Sequence, residues 1–260
     1  MFTRLKYFFS NKKYLETEIK TDTDTINVNK KKIAIIIGLN YENTPNHLFG
    51  CINDTLIIKT LLTKNYNYNP KNIILCNDNG TTQIIPSKNN ILKIFNTITN
   101  NITKFKTIFL YFSGHGGKNY LALINNELLF HYELKEYFID KINTNINLIA
   151  VIDTCHSQDC FQLNYNFFNY NYYKYAFTKK NIKIIYSCLK NQQASEYYDY
   201  KTKTHYGLFT FYFQYILNEC PDISWNLLIY YINSFMDKYK DSQYANLYFN
   251  KKKYHETVWF

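Results

Sequence analysis

Residues 153–160 read DTCHSQDC, with two thiols, Cys155 and Cys160, in one short stretch and His156 fused to the first. A thiolate is a strong nucleophile, and an imidazole is the usual group to take its proton. A second histidine, His115, stands well upstream in YFSGHGG, with glycines on both sides. Side chains alternate faces along an extended segment. If residues 153–156 stay extended, Cys155 and His156 point to opposite sides and make a poor nucleophile–base pair. His115 is the better partner. Each motif follows a short apolar run, so His115 and Cys155 lie just past the ends of two strands. Neighbouring strands run about 4.8 Å apart, close enough for the two side chains to meet. The chemistry would be acyl transfer. His115 would take the Cys155 proton or stabilise the thiolate, and the N–H groups of Gly116 and Cys155 would hold the oxyanion of a tetrahedral intermediate. Taken singly, each residue has a plainer account: a cysteine after a strand is often a small hydrophobe, and a histidine in a glycine turn is often structural. The combination outweighs both. Cys160 reads as a loop thiol and His156 as a residue that packs or positions its neighbours.

The elements that must carry these residues are legible as hydrophobic patterns. KIAIIIG (32–38), NIILC (72–76), TIFLYF (107–112), NLIAVI (147–152) and IKIIYS (182–187) are short, apolar and rich in β-branched residues, as buried parallel strands are. Between them, residues 51–64 place Ile52, Leu56, Ile57, Leu61 and Leu62 on one helical face. Residues 88–102 do the same with Ile91, Ile94, Phe95, Ile98 and Ile102. Helices are also expected over 131–142, 207–219 and 223–239. Strands alternating with helices predict an α/β fold with a mostly parallel sheet and helices on both faces. Ligands on such sheets sit beyond the carboxyl ends of the strands, where SGHGG and DTCHS both fall. Residues 1–31 read as a basic arm and 32–260 as one domain. Residues 157–181 form a long Tyr/Asn-rich insert with lysines near its end, a length typical of functional or mobile loops.

Composition narrows the function classes. Hydrophobic residues make up 46% of the 260, which excludes global disorder. The formal charge of +10, from 30 Lys+Arg against 20 Asp+Glu, taken alone suggests nucleic acid or an anionic membrane as partner. However, the chain is also loaded with Asn, Ile, Tyr and Phe and holds only seven Gly and four Pro. The favoured residues share A/T-rich codons, so base composition accounts for the lysine excess and no nucleic-acid partner is expected. The six cysteines include no C-x-x-C, and no histidine pair has zinc-finger spacing. No window approaches the roughly 18 uncharged apolar residues of a membrane span, and the N-terminal stretch lacks a secretory apolar region. The expectation is a monomeric, cytoplasmic protein with reduced thiols and no membrane partner.

IAIIIGLNYENTPNHLFGCIND, YFSGHGG and VIDTCHS, in this order, resemble the metacaspases, caspase-like cysteine proteases of clan CD. IIYSCLKNQQASE, GLFTFYF and SQYANLYF extend a weaker likeness to about residue 248. The resemblance implies a caspase-like three-layer sandwich, with His115 as general base and Cys155 as nucleophile. It also implies a pocket for a basic side chain made of Cys51, Asp54, Ser113 and Asp153. The implied reaction is cleavage of protein or peptide substrates after Lys or Arg, through an acyl-thioester. Two carboxylates beside a nucleophile favour a Lys or Arg side chain on physical grounds too, although Asp54 alone would pass for a helix-start carboxylate and Asp153 for a turn cap. The chain departs from the family's pattern in places. Gln158 replaces a glycine, the arm is not a Pro/Gln-rich or zinc-finger prodomain, and the acidic segment after the histidine motif is missing. Many metacaspases use calcium, and the family's ligand positions fall in that acidic segment, at His131 and Tyr132 ahead of Glu133 and Leu134, and at Gln162. Asp159, Glu127 and Glu133 make a thin substitute for the six to eight oxygens calcium wants. No metal site, no cofactor and no calcium dependence are expected. Self-cleavage is expected in the long insert at Lys174, Lys179 or Lys180. The rival is a caspase-fold scaffold that binds peptides without efficient turnover.

Overall fold

The computed structural model describes residues 32–157, 161, 167–168, 172–173, 180–237, 243–249, 257–258 and 260. The N-terminal arm, Gln158, Asp159, Cys160, Gln162, Lys174 and Lys179 lie outside the described residues. The five apolar runs are strands: β1 (Lys32–Gly38), β2 (Ile73–Asn77), β3 (Thr107–Ser113), β7 (Asn147–Asp153) and β10 (Asn181–Tyr186). They lie side by side in parallel in the order β10-β7-β3-β1-β2, and β13 (Asn246–Phe249) closes the edge beside β10 antiparallel. Every residue of β3 and β7 is buried, as expected for central strands covered on both faces.

Alternate strand residues serve two cores. Ile35, Ile37, Ile108, Leu110, Leu148 and Ile184 belong to one cluster with Ile91, Phe95 and Ile98 of α2 (Lys88–Asn100) and Leu134 of α3 (His131–Tyr137). On the opposite face, Phe109 packs edge-on against Phe260 and Lys183 lies over the Trp225 ring. That face carries α1 (Cys51–Asn65), α4 (Leu208–Glu219) and α5 (Trp225–Met236). The result is three layers around a mostly parallel sheet.

Two expected elements are adjusted. In α1 the buried stripe is Cys51, Ile52, Asp54, Thr55, Ile58, Leu61 and Leu62, while Leu56 is exposed. The helix is rolled so that Thr55 donates to Asn77 Oδ1 and Asp54 turns under the sheet edge. Helix α3 stops at Tyr137. Phe138 leaves helical geometry and stacks on Phe95, with ring centroids 4.4 Å apart, before a short 3₁₀ turn over Ile139–Lys141.

Small sheets decorate the carboxyl edge. β4 (Gly116–Gly117), β5 (Tyr120–Ala122) and β6 (Leu128–Phe130) form an antiparallel meander directly after the histidine motif. A two-residue pair, β8 (Phe167–Phe168) with β9 (Tyr172–Tyr173), lies in the long insert, and a hairpin, β11 (Glu196–Asp199) with β12 (Thr204–Gly207), precedes α4. Among the described residues no helix is long and apolar enough to cross a membrane.

Phe95 is fully buried between α2 and the sheet. Phe95→Ala is expected to lower unfolding stability by about 3–5 kcal/mol, read from urea denaturation with an unchanged m-value.

Candidate active site

Register decides where the chemistry sits. In the β3–β7 pairing Ser113 lies opposite Asp153, so His115 and Cys155 each stand two residues past the same rung of the ladder. Gly114 N–H donates to Asp153 O at 3.3 Å, which holds the two turns together. A methyl group on Gly116 would stand 2.5 Å from Thr154 Oγ1 and 3.0 Å from Cys155 O. Only glycine lets the histidine turn approach the cysteine turn this closely.

The His115 ring is oriented by one backbone group. Its Nε2 lies 2.7 Å from Asn46 O. A carbonyl can only accept, so Nε2 carries a proton and Nδ1 is the nitrogen not engaged with Asn46. Cys155 is part-exposed, and Ala194 N–H donates to its Sγ at 3.4 Å. His156 does not face this space. The chain leaves the extended conformation there: His156 has φ 53°, its N–H donates to Gln192 O at 3.1 Å, and its Nδ1–H donates to Lys190 O at 2.6 Å. This turn, not strand alternation, separates His156 from Cys155.

Behind the turns, Cys51, Asp54, Ser113 and Asp153 come together and all four are buried. Ser113 Oγ donates to Asp54 Oδ2 at 2.8 Å, and Gly207 N–H reaches Asp54 Oδ1 at 2.9 Å. Thr210 Oγ1 donates to Asp153 Oδ2 at 2.6 Å, and the Tyr111 hydroxyl donates to Thr210 Oγ1. A methyl group on Gly207 would stand 2.5 Å from Asp153 Oδ2 and 2.9 Å from Asp54 Oδ2, so this glycine lies against both carboxyls. Burial holds the Asp54 carboxyl well above its usual range, and the neighbouring Asp153 charge adds to it. Burial raises Asp153 as well, against the opposing hydrogen bonds of Thr210 and Ser187. The Cys51 thiol is pushed well up by burial and by Asp54, so it stays a neutral wall of the site.

Several residues outside the expected set complete the arrangement. Glu196 Oε1 accepts the backbone N–H groups of Phe49, at 2.8 Å, and of Gly50, a third carboxylate pinned beside the start of α1. Gln243 is buried and braces the segment beside Cys155. Its Oε1 accepts Ser195 N–H at 2.9 Å and its Nε2 donates to Ser187 O at 3.0 Å. Glu127 and Glu133, the carboxylates weighed above for calcium, are engaged with Lys88 and Phe130. Glu127 Oε2 accepts the Lys88 N–H at the start of α2, Glu133 Oε2 accepts the Phe130 N–H, and Glu133 Oε1 pairs with the Lys88 ammonium at 2.7 Å. His131 is buried and Tyr132 is exposed. Among the described residues, which leave out Asp159 and Gln162, no group of three His, Cys, Asp or Glu side chains is placed to hold a metal ion.

A model of the family described as metacaspase, peptidase C14 domain, matches residues 31–164. Metacaspase-1 of Eremothecium gossypii is 30% identical over 149 residues, 51% of this chain and 33% of its own length. Metacaspase-1 of Schizosaccharomyces pombe is 27% identical over 155 residues, 53% of this chain and 36% of its own length. The match thus spans about a third of the length of these curated relatives. A crystal structure of a protein from Geobacter sulfurreducens superposes with a TM-score of 0.63 at 16% identity, covering 87% of this chain and 97% of that one, a likeness of fold.

The buried carboxyls set a pH dependence of stability. The folded protein keeps protons on the Asp54–Asp153 pair that the unfolded chain has already released. Stability therefore falls as pH rises from the ordinary carboxylate value of 3.8 through the raised folded values. In urea denaturation between about pH 5 and pH 8, wild type is expected to lose stability more steeply than Asp54→Asn, which removes one ionisable group from the pair.

Proposed function

Since this chain belongs to the metacaspase peptidase C14 family, we propose that it is a cysteine endopeptidase that cleaves after Lys or Arg. The observation that carries the reading is the β3–β7 register, which sets His115 and Cys155 level on neighbouring strand ends, two residues past the rung that holds Asp153, with Asp54 of α1 buried beside Asp153. The Nε2–H tautomer leaves His115 Nδ1 to take the Cys155 thiol proton. The thiolate attacks the scissile carbonyl, and the N–H groups of Gly116 and Cys155 face the developing oxyanion. His115 returns the proton to the leaving amine, which departs. A water molecule, giving its proton to His115, then hydrolyses the thioester and frees Cys155.

The substrate's basic side chain occupies the space before Asp54 and Asp153. Its positive charge favours ionisation of the pair, so binding releases protons and substrate affinity rises with pH through the raised carboxyl values. Glu196 adds negative charge at the side of this pocket nearest α1. An acidic side chain would instead oppose ionisation of the pair and compete with it for the Ser113, Gly207 and Thr210 donors.

Peptides matched except for Arg, Lys or Asp at the cleaved position test the reading. Arg and Lys peptides are expected to be cleaved, with Asp peptides slower by about 10²-fold or more in kcat/KM. Cys155→Ala and His115→Ala are each expected to lower kcat by about 10³-fold or more, while His156→Ala and Cys160→Ala retain substantial activity. Comparable cleavage after Asp rejects the pocket, and tight peptide binding without turnover in wild type supports a scaffold role instead.

The engagement of Glu127 and Glu133 with Lys88 supports turnover without calcium. The rate is expected to be equal in chelator and in millimolar calcium, with no saturable heat in a calcium titration. A large calcium-dependent rise would place ligands among residues outside this set. Self-cleavage in the long insert is retained as a proposal for Lys174 and Lys179. Lys180 is already occupied, its ammonium donating to Ile139 O and Asp140 O.

A further inference from the structure

Tyr41 meets His115 twice. Its ring centroid lies 4.8 Å from the imidazole centroid, with the planes inclined at 36°. Its hydroxyl accepts the His115 backbone N–H at 2.8 Å and donates to Ala122 O at 2.9 Å. Ala122 N–H in turn donates to His115 O at 3.0 Å, so the phenol closes a ring of hydrogen bonds between the histidine turn and β5. Burial pushes the phenol well above its usual range, so it stays a neutral donor.

Tyr41 is itself held at a cost. Its φ of 53° is in the left-handed region, unusual for an aromatic residue. Asp78 secures it there, Oδ1 accepting Asn40 N–H at 3.0 Å and Oδ2 accepting Tyr41 N–H at 2.6 Å. Thr44 donates both its N–H and its hydroxyl to Tyr41 O. That turn leads to Asn46, whose carbonyl receives the imidazole Nε2–H. One loop thus touches the histidine at its ring edge, its ring face and its backbone N–H.

We propose that Tyr41, braced by Asp78, is the positioning residue of His115 and sets the imidazole so that Nδ1 faces the Cys155 thiol. This rests on the assignment of His115 as base to Cys155. A hydroxyl that accepts from His115 and donates to Ala122 at once has no substitute in phenylalanine, which keeps the ring and loses both bonds. A merely structural tyrosine would change stability, or kcat and KM together. A positioning tyrosine changes proton transfer and leaves substrate binding intact.

Two measurements decide it. The first is kcat and KM on an Arg peptide for wild type, Tyr41→Phe and Asp78→Asn. The second is the rate of Cys155 alkylation by iodoacetamide, followed at that cysteine by mass spectrometry, which reads thiolate formation without any peptide substrate. Tyr41→Phe is expected to lower kcat roughly tenfold with KM changed less than about twofold, and to slow alkylation in parallel. Asp78→Asn, which keeps one acceptor, is expected to move both in the same direction by less. Wild-type kcat and alkylation rates in a folded Tyr41→Phe overturn the proposal. If that variant does not fold, unchanged rates in Asp78→Asn do so. If wild type cleaves no peptide while Tyr41→Phe and His115→Ala both slow alkylation, the endopeptidase reading fails and the positioning role stands.

Discussion

Two carboxyl groups, Asp54 and Asp153, share a volume from which water is almost absent. Unpaired buried carboxylates are too costly to keep, so surrounding groups must supply what water would. The suppliers come from four separate elements: Ser113 at the end of β3, Gly207 at the end of β12, Thr210 in the first turn of α4, and the position of Asp54 itself in the first turn of α1. The helix start adds a favourable dipole. Each supplier is also a strand end or helix start bordering the cysteine and histidine turns. Satisfying the carboxyls therefore ties α1, β3, β7 and α4 into one corner, and that corner carries His115 and Cys155. The requirement explains the roll of α1, which leaves Leu56 in solvent so that Asp54 and Thr55 can face inward.

The five parallel strands were readable because each is an apolar, β-branched run of strand length buried on both faces. Helix α2 was readable because Ile91, Ile94, Phe95 and Ile98 repeat at helical spacing and are indeed buried. Periodicity misplaced Leu56 because hydrophobic spacing in 51–64 admits two overlapping stripes, and polar satisfaction chose between them. The choice of His115 over His156 as partner to Cys155 followed from strand order. The assumption behind it, an extended backbone through residue 156, did not hold, and the left-handed turn at His156 produces the separation instead.

What was not legible is mostly backbone chemistry. Asn46 acts through its carbonyl and Ala194 through its amide, so neither side chain signals its contact. Tyr41 and Asp78 are far from His115 in sequence and carry no motif spacing, although Asn-Tyr after a strand-closing glycine, followed by a polar run, marks a loop at the functional edge. Gln243 lies in a stretch whose likeness to the family was weak, yet it braces the segment beside Cys155. The meander β4–β6 is too short for periodicity to declare. β13 escaped because an antiparallel edge strand of four residues looks like any polar–apolar loop.

The net charge of +10 and the carboxyl pocket pull in opposite directions on a basic substrate. For the proposed Lys or Arg peptide, the net charge of the chain is repulsive at long range, while Asp54 and Asp153 attract at contact. At physiological ionic strength that repulsion is screened over about 8 Å, whereas contacts with buried groups are screened far less. Recognition of the proposed basic side chain would then be decided at short range, by replacing the water lost from the cation with oxygens of carboxyls already held by Ser113, Gly207 and Thr210. Preorganised acceptors of this kind discriminate by geometry and desolvation rather than by long-range attraction. Acidic peptides would gain on the approach and lose on entry, so the net positive charge is compatible with the proposed basic specificity; the two act at different distances.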